Sequence, residues 1–244
     1  MPRAANLLVA HGIDNHSALF IAARPDHGWL MIDPAFSWKQ QPPVADVPEM
    51  QPIYDGFVAR LAQLGVGQSA PKVGEPFPEF SLPNTRGVYR TLKEVQQGQP
   101  LVISFNRGGW CPHCVHELTV WGSTIEALQS AGARLLVVTG ELGDGAAALR
   151  SLAGGQAAEI LCDVDHGLAL ACGLAFRLAD DIRQKYVDAG IDLKAAYGTD
   201  SGFLPIPATF ILDGEGMVRY ALVDPDFRNR AWPPDVVALL GQLG

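Results

Sequence analysis

Leu101-Val102-Ile103-Ser104-Phe105-Asn106-Arg107-Gly108-Gly109-Trp110-Cys111-Pro112-His113-Cys114 carries an apolar run straight into a cysteine pair separated by two residues. Leu101 to Phe105 has the length and composition of a buried strand. Cys111 to Ser130 reads as a helix, and Pro112 fits its first position, where an N–H would be unpaired anyway. Cys111 is then the N-cap, facing the free N–H groups of His113 and Cys114. A thiolate there is favoured by those donors and by the positive end of the helix dipole. Cys114 falls on the same helix face, within reach of Cys111. His113, when protonated, adds positive charge beside the thiolate. Attack by Cys111 on a disulfide, with resolution by Cys114, is the chemistry this arrangement serves.

Two plainer readings compete. The pair can fall in a helix by chance, with both thiols inert. It can also belong to a metal site with His116 as third ligand, but zinc wants four protein ligands, and Cys162 and Cys172 lie on separate elements. His116 reads better as a helix-surface or partly buried residue. Cys162, at a strand end, and Cys172, beside Leu170 and Leu174, read as core thiols. Neither metal nor cofactor is expected.

Outward from the pair, the chain alternates. Leu135 to Thr139 and Ile160 to Asp163 are apolar β-runs, followed by helices over Ala146 to Leu152 and Leu168 to Phe176. Thr209 to Leu212 and Met217 to Leu222 are strands joined by Asp213-Gly214-Glu215-Gly216, a hairpin signal. Asp235 to Leu243 is a terminal helix. Between the third unit and the hairpin, Leu178, Ile182 and Tyr186 mark one inserted helix within Leu178 to Phe203. This order gives an α/β layer sandwich with a mixed sheet.

Upstream, Ile53, Phe57, Leu61 and Leu64 predict an amphipathic helix over Met50 to Leu64, ended by Gly65 and Gly67. Residues 1–49 form an extension whose role is not written in the sequence. It holds two apolar runs, Leu19 to Ala23 and Trp29 to Asp33, about the turn Arg24-Pro25-Asp26-His27-Gly28. Pro42, Pro43, Pro48 and Pro52 then break the pattern, so that this stretch reads as a linker. Met50 lies in frame just before the helix. The organisation expected is 1–49 extension, 50–71 helix and linker, and 72–244 main domain.

Of the 244 residues, 48% are apolar and 18% charged, the profile of a globular chain. A net charge of −8 disfavours nucleic acid or an anionic membrane as partner. No apolar run is long enough to span a bilayer, and the first twelve residues lack a cleavage site. The expected location is the cytoplasm, where thiols are kept reduced and four cysteines read as reactive or core thiols.

Pro207 opens the run Ile206-Pro207-Ala208-Thr209-Phe210, a place where proline is allowed at a strand start. A cis peptide there would turn backbone groups toward the cysteine helix, ready to hold an extended substrate by strand-like hydrogen bonds. Composition alone favours a trans proline.

Lys72 to Leu240, about two thirds of the chain, resembles the peroxiredoxin-like branch of the AhpC/TSA (alkyl hydroperoxide reductase/thiol-specific antioxidant) family. Val73-Gly74-Glu75-Pro76-Phe77-Pro78-Glu79-Phe80-Ser81-Leu82-Pro83-Asn84 resembles its opening hairpin. Ser104 to Cys114 resembles its active-site strand, loop and helix start. Leu204-Pro205-Ile206-Pro207-Ala208-Thr209-Phe210 resembles the thioredoxin-fold proline loop, and Val223-Asp224-Pro225-Asp226-Phe227 a stretch after the last strand. The resemblance implies a thioredoxin-like three-layer sandwich, a cis Pro207 that positions substrate backbone, and site residues Cys111, Cys114, Pro207, His113, Trp110 and Arg107.

The departures bear on activity. With Cys114 placed at the peroxidatic position, Arg107 stands where that family has Pro and Cys111 where it has Thr, while Glu117 matches a frequent Glu. The family's active-site Arg aligns with Pro207, which leaves Arg107 as the stand-in. Ser104 occupies the position of the buried Asp of thioredoxins. The Pro-His dipeptide resembles that of the periplasmic disulfide oxidase, which implies an easily ionised, oxidising Cys111. The first expectation is a thiol–disulfide oxidoreductase, with Cys111 as nucleophile and Cys114 as resolving thiol. The second is an antioxidant thiol peroxidase acting through a sulfenic acid. The third is a non-catalytic redox sensor or binding module working through the insertion. Expected partners are a disulfide or peroxide and a thiol reductant of thioredoxin or glutathione type.

Overall fold

A computed structural model describes residues 51–243, together with the backbone of residues 22–23 and 29–30. The two short segments, β1 (Ala22–Ala23) and β2 (Trp29–Leu30), pair antiparallel within the expected hairpin. Its turn, the prolines at 42, 43 and 48, and the rest of 1–49 lie outside the described residues.

The elements then run as follows. Helix α1 (Gln51–Gln63) precedes a hairpin of β3 (Ser81–Pro83) and β4 (Tyr89–Thr91). Short helix α2 (Leu92–Gln96) opens on a capping box between Thr91 and Glu94. The units β5 (Leu101–Asn106), α3 (Pro112–Ser130), β6 (Arg134–Thr139), α4 (Gly143–Leu152) and β7 (Ala158–Cys162) follow. Next come α5 (Gly167–Ala171), β8 (Ala175–Arg177), α6 (Asp180–Asp188), α7 (Leu193–Tyr197) and β9 (Phe203–Pro205). The chain closes with β10 (Ala208–Leu212), β11 (Val218–Val223) and α8 (Pro233–Leu243).

The central sheet has the order β11-β10-β5-β6-β7. Strands β5, β6 and β7 are parallel, whereas β10 runs antiparallel to both β5 and β11. Apolar residues point to both sides of it, as a sheet covered on both faces demands. Leu101, Ile103 and Phe105 join Leu136, Val138, Phe210 and Leu212 in one core. Val102, Leu135, Val137, Ile160 and Ile211 face the other, against Leu118, Trp121 and Leu128 of α3, Leu149 of α4 and Leu239 of α8. Gly122 lets α3 and α4 touch, because a Cβ there would sit 2.1 Å from the Leu152 carbonyl oxygen. The result is the expected three-layer α/β sandwich with a mixed sheet.

Pro52, expected in the linker, is instead the second residue of α1, where its missing N–H would be unpaired anyway. Helix α1 buries Phe57 and Leu61 in the first core, where Phe57 packs 5.5 Å from Phe176. Leu64, the fourth residue of the apolar spacing, is exposed.

Two elements differ from expectation. The helix expected over Leu168 to Phe176 stops at Ala171, because Gly173 has a φ of +63° and Ala175–Arg177 pair with Phe203–Pro205 instead. The inserted segment is two helices rather than one: α6 ends near Gly190, and Asp192 caps α7 by accepting from the Ala195 N–H at 2.9 Å. Its base is closed by the β8–β9 ladder.

Candidate active site

Strand β5 delivers the loop Arg107–Trp110 to the start of α3. Gly108 holds a φ of +124°, and a Cβ on it would lie 2.5 Å from the Glu141 carboxyl carbon. That carboxylate, largely buried, accepts from the Gly109 N–H at 3.0 Å and fixes the loop from below. Burial is also the main reason its pKa is raised.

Cys111 is the N-cap of α3 and Pro112 its first residue, as the sequence predicts. The Cys111 sulfur closes no cap hydrogen bond, because the Cys114 N–H is bonded to the Cys111 carbonyl at 3.0 Å. The Cys111 thiol is nevertheless lowered to about 6. A hydrogen bond from the Cys114 thiol is the largest cause, and the charges of Arg230 and Arg107 add to it against the cost of burial. Cys114 moves the other way, well above an ordinary thiol, through burial and then the proton it shares with Cys111. Both cysteines are reduced and buried, with exposures of 3% and 0%.

The Cys114 sulfur accepts from the Arg107 N–H at 3.3 Å and from Arg230 Nη2 at 3.3 Å. Arg230 is itself buried, pairs through Nη1 with Glu117, and donates from Nε to the Phe227 carbonyl at 2.8 Å. Glu117 also accepts from Ser104 Oγ at 2.6 Å and from Trp121 Nε1 at 3.3 Å. A buried carboxylate thus sits below the pair after all, supplied by α3 and neutralised by Arg230 rather than placed at position 104.

The other expected site residues fall around this centre. Arg107 is buried, with its guanidinium 4.6 Å from the Phe227 ring and its Nε donating to the Pro205 carbonyl at 3.2 Å. Its Nη2 has no hydrogen-bond partner among the described residues. Trp110 donates from Nε1 to the Tyr197 hydroxyl at 3.1 Å, and that hydroxyl donates to the Arg107 carbonyl at 2.6 Å. The Trp110 ring also packs on Tyr186 at 5.6 Å. His113 lies edge-on to Phe227 at 5.4 Å, and Arg230 and Arg107 both bring positive charge toward Cys111. His116 is half-buried on α3, and no group of three metal-binding side chains occurs among the described residues.

Pro207 precedes Ala208, whose register partner is Phe105, so it stands beside the loop that leads to Cys111. Among the described residues no peptide bond is cis. The cis bond implied by resemblance is therefore corrected to trans: the Ile206 N–H is spent on the Leu174 carbonyl, and Pro205 offers its carbonyl to Arg107. Cys162 and Cys172 are buried away from the pair, and burial raises both thiols.

Sequence reasoning missed Arg230, Glu141, Tyr186 and Tyr197. Arg230 follows the stretch Val223–Phe227 by three residues, but nothing in the spacing points it toward a cysteine 116 positions earlier.

Known proteins share this frame. The AhpC/TSA family profile matches residues 73–221. The thiol:disulfide interchange protein DsbE of Pseudomonas aeruginosa is 23% identical over 172 residues, 70% of this chain and 77% of that protein. Peroxidoxin BcpB of Mycobacterium tuberculosis superposes with a TM-score of 0.55 at 17% identity, over 71% of this chain and 99% of its own. Peroxiredoxin 6 of Arenicola marina superposes with a TM-score of 0.53 at 15% identity, over 69% and 71%. At such identities the structural likeness establishes the thioredoxin-like fold.

Proposed function

The chain belongs to the AhpC/TSA family, and from that premise we propose that it is a thiol–disulfide oxidoreductase in which Cys111 attacks and Cys114 resolves. The observation that carries this reading is the opposed acidity of the two thiols, Cys111 lowered to about 6 and Cys114 raised. At neutral pH the outer sulfur is a thiolate and the inner one keeps its proton, which is the division of labour a two-thiol exchange needs. Cys111 displaces one half of a substrate disulfide, and Cys114 then displaces the other, closing the Cys111–Cys114 bond. A thiol reductant of thioredoxin or glutathione type reopens it. The resemblance to DsbE supports the same reading.

Mass spectrometry of single variants tests it. Cys114→Ser is expected to trap a mixed disulfide on Cys111, and Cys111→Ser to abolish exchange. Exchange that persists in Cys111→Ser overturns the assignment.

A second reading, a thiol peroxidase centred on Cys114, is favoured by one feature. Two donors, the Arg107 N–H and Arg230 Nη2, converge on the Cys114 sulfur, and donors at the reacting sulfur are what a polarised peroxide requires. The guanidinium missing at position 207 is thereby supplied from beyond β11. Against this stands the raised Cys114 thiol. Fast peroxide consumption that survives Cys111→Ser and is lost in Cys114→Ser would reverse the order of the two readings.

A further inference from the structure

The insertion holds a cavity of about 410 Å³, lined by Arg183, Tyr186, Val187, Ile191, Leu193 and Lys194 among others. Its wall is shared with the thiol site, because Tyr186 packs on Trp110, the residue before Cys111. The volume lies in the range of small-molecule sites, which span roughly 300–1,000 Å³.

The lining has a definite chemistry. Val187 contributes an apolar surface that is 56% exposed, unusual on an otherwise polar helix. Of the two carboxylates at the cavity, Asp200 is neutralised in an ion pair with Arg183, whereas Asp192 caps α7 through a backbone N–H and keeps its charge. Lys194 has no ion-pair partner among the described residues. The cavity therefore sets two cations, Arg183 and Lys194, and two carboxylates, Asp192 and Asp200, around an aliphatic floor, and Lys194 is the cation of the four that is outside an ion pair among the described residues.

We propose that this cavity is the subsite for a low-molecular-weight, carboxylate-bearing thiol or its disulfide, a peptidic co-substrate of glutathione type. The proposal deepens the thiol–disulfide reading and rests on it. Both sulfurs are buried, so a slim substrate held beside Trp110 suits the site better than a folded protein's disulfide. The carboxylate end is held by Lys194, and the aliphatic portion lies on Val187 and Ile191. The exchange balances without any further reagent. The Cys111 thiolate bonds to one sulfur of the disulfide and releases the other half as a thiolate. Cys114 then attacks the Cys111 sulfur, the second half leaves, and the Cys114 proton passes to a departing thiolate. The protein pair gives up two electrons, and one small thiol and one small thiolate are formed, the thiolate taking its proton from solvent.

The test uses the full chain and S-methylglutathione, which carries the peptide but cannot exchange. Calorimetry is expected to show binding that Lys194→Glu weakens at least tenfold, while Lys93→Glu on α2 leaves it unchanged. Lys194→Glu is also expected to raise the KM for glutathione disulfide at least tenfold relative to that for neutral hydroxyethyl disulfide. Wild-type protein that turns over hydroxyethyl disulfide but does not bind S-methylglutathione overturns the subsite alone. Wild-type protein that binds S-methylglutathione but turns over neither disulfide overturns the thiol–disulfide reading and leaves the subsite standing. Equal effects of Lys194→Glu and Lys93→Glu overturn the role given to Lys194.

Discussion

Arg230 Nη2 lies 3.3 Å from the sulfur of Cys114, and the same guanidinium is paired with Glu117 one helical turn further along α3. One buried cation thus serves two anionic or potentially anionic groups, and all three are 2% exposed or less. A buried ion pair is costly to halve, because the surviving charge has no water to turn to. Arg230→Met is therefore expected to destabilise the fold by about 3–5 kcal/mol. The double variant Arg230→Met with Glu117→Gln should recover a large part of that loss, since no charge is then stranded. Urea unfolding of the four proteins of the cycle measures this, and additive losses would show that the pair is not coupled.

The thiols give a pH dependence of known sign. With Cys111 lowered to about 6, its thiolate fraction, and with it the alkylation rate, should be flat above about pH 7 and fall roughly tenfold per pH unit below 6. Cys114→Ala removes the largest cause of the lowering, so its midpoint should move up toward an ordinary thiol at about 8.5. Cys114→Ser keeps a hydroxyl donor and should fall between the two. A midpoint that ignores residue 114 would mean that the arginines alone set the acidity.

How far the sequence leads is clear from particular residues. Leu101 to Phe105 and Leu135 to Thr139 are readable because a strand buried on both faces leaves a continuous apolar run. The N-cap at Cys111 is readable because Pro112 admits few other positions. Phe176 is not, since it reads as helix until Leu204, far along the chain, pairs with it. Its strand is made by a distant partner, not by local preference. Arg230 and Tyr197 are invisible for the same reason: each reaches the site through folding of the whole chain, and neither shares a spacing with the cysteines. The second inserted helix is not legible although Asp192 is a proper N-cap residue, because the Leu178, Ile182, Tyr186 periodicity marks only α6.

Tyr197 ties the insertion to the Arg107–Trp110 loop through one hydroxyl, donating to Arg107 and accepting from Trp110. Tyr197→Phe leaves a buried carbonyl and an indole N–H without that partner, a loss of about 1–3 kcal/mol. The loop should loosen before the fold does. Amide exchange at residues 107–110 is expected to accelerate more than exchange in β5. Cys111, buried in the wild type, should alkylate faster at a pH where it is already ionised. Unchanged exchange in the loop would show that Glu141 and the glycines hold it without help from the insertion.

His166 provides the last prediction. Burial lowers it to about 4, and its ring stands edge-on to Tyr197 at 5.0 Å. Its Nδ1 is buried without a hydrogen-bond partner among the described residues. In the unfolded chain the same imidazole titrates near 6.5. Between those values the unfolded chain holds a proton that the folded protein does not, so stability falls as pH falls. The full loss is on the order of 3 kcal/mol, complete by about pH 4. Asp163 and Glu141, whose pKa values are raised by burial, act in the opposite sense, because the folded form then binds the extra proton. His166→Asn removes the titration and tolerates the left-handed backbone at this position, φ +57°. Urea unfolding from pH 7 to pH 4 should therefore show a flatter decline in the variant than in the wild type. A decline of equal slope would mean that the buried imidazole is already protonated in the folded protein, and that the Tyr197 contact holds a cation.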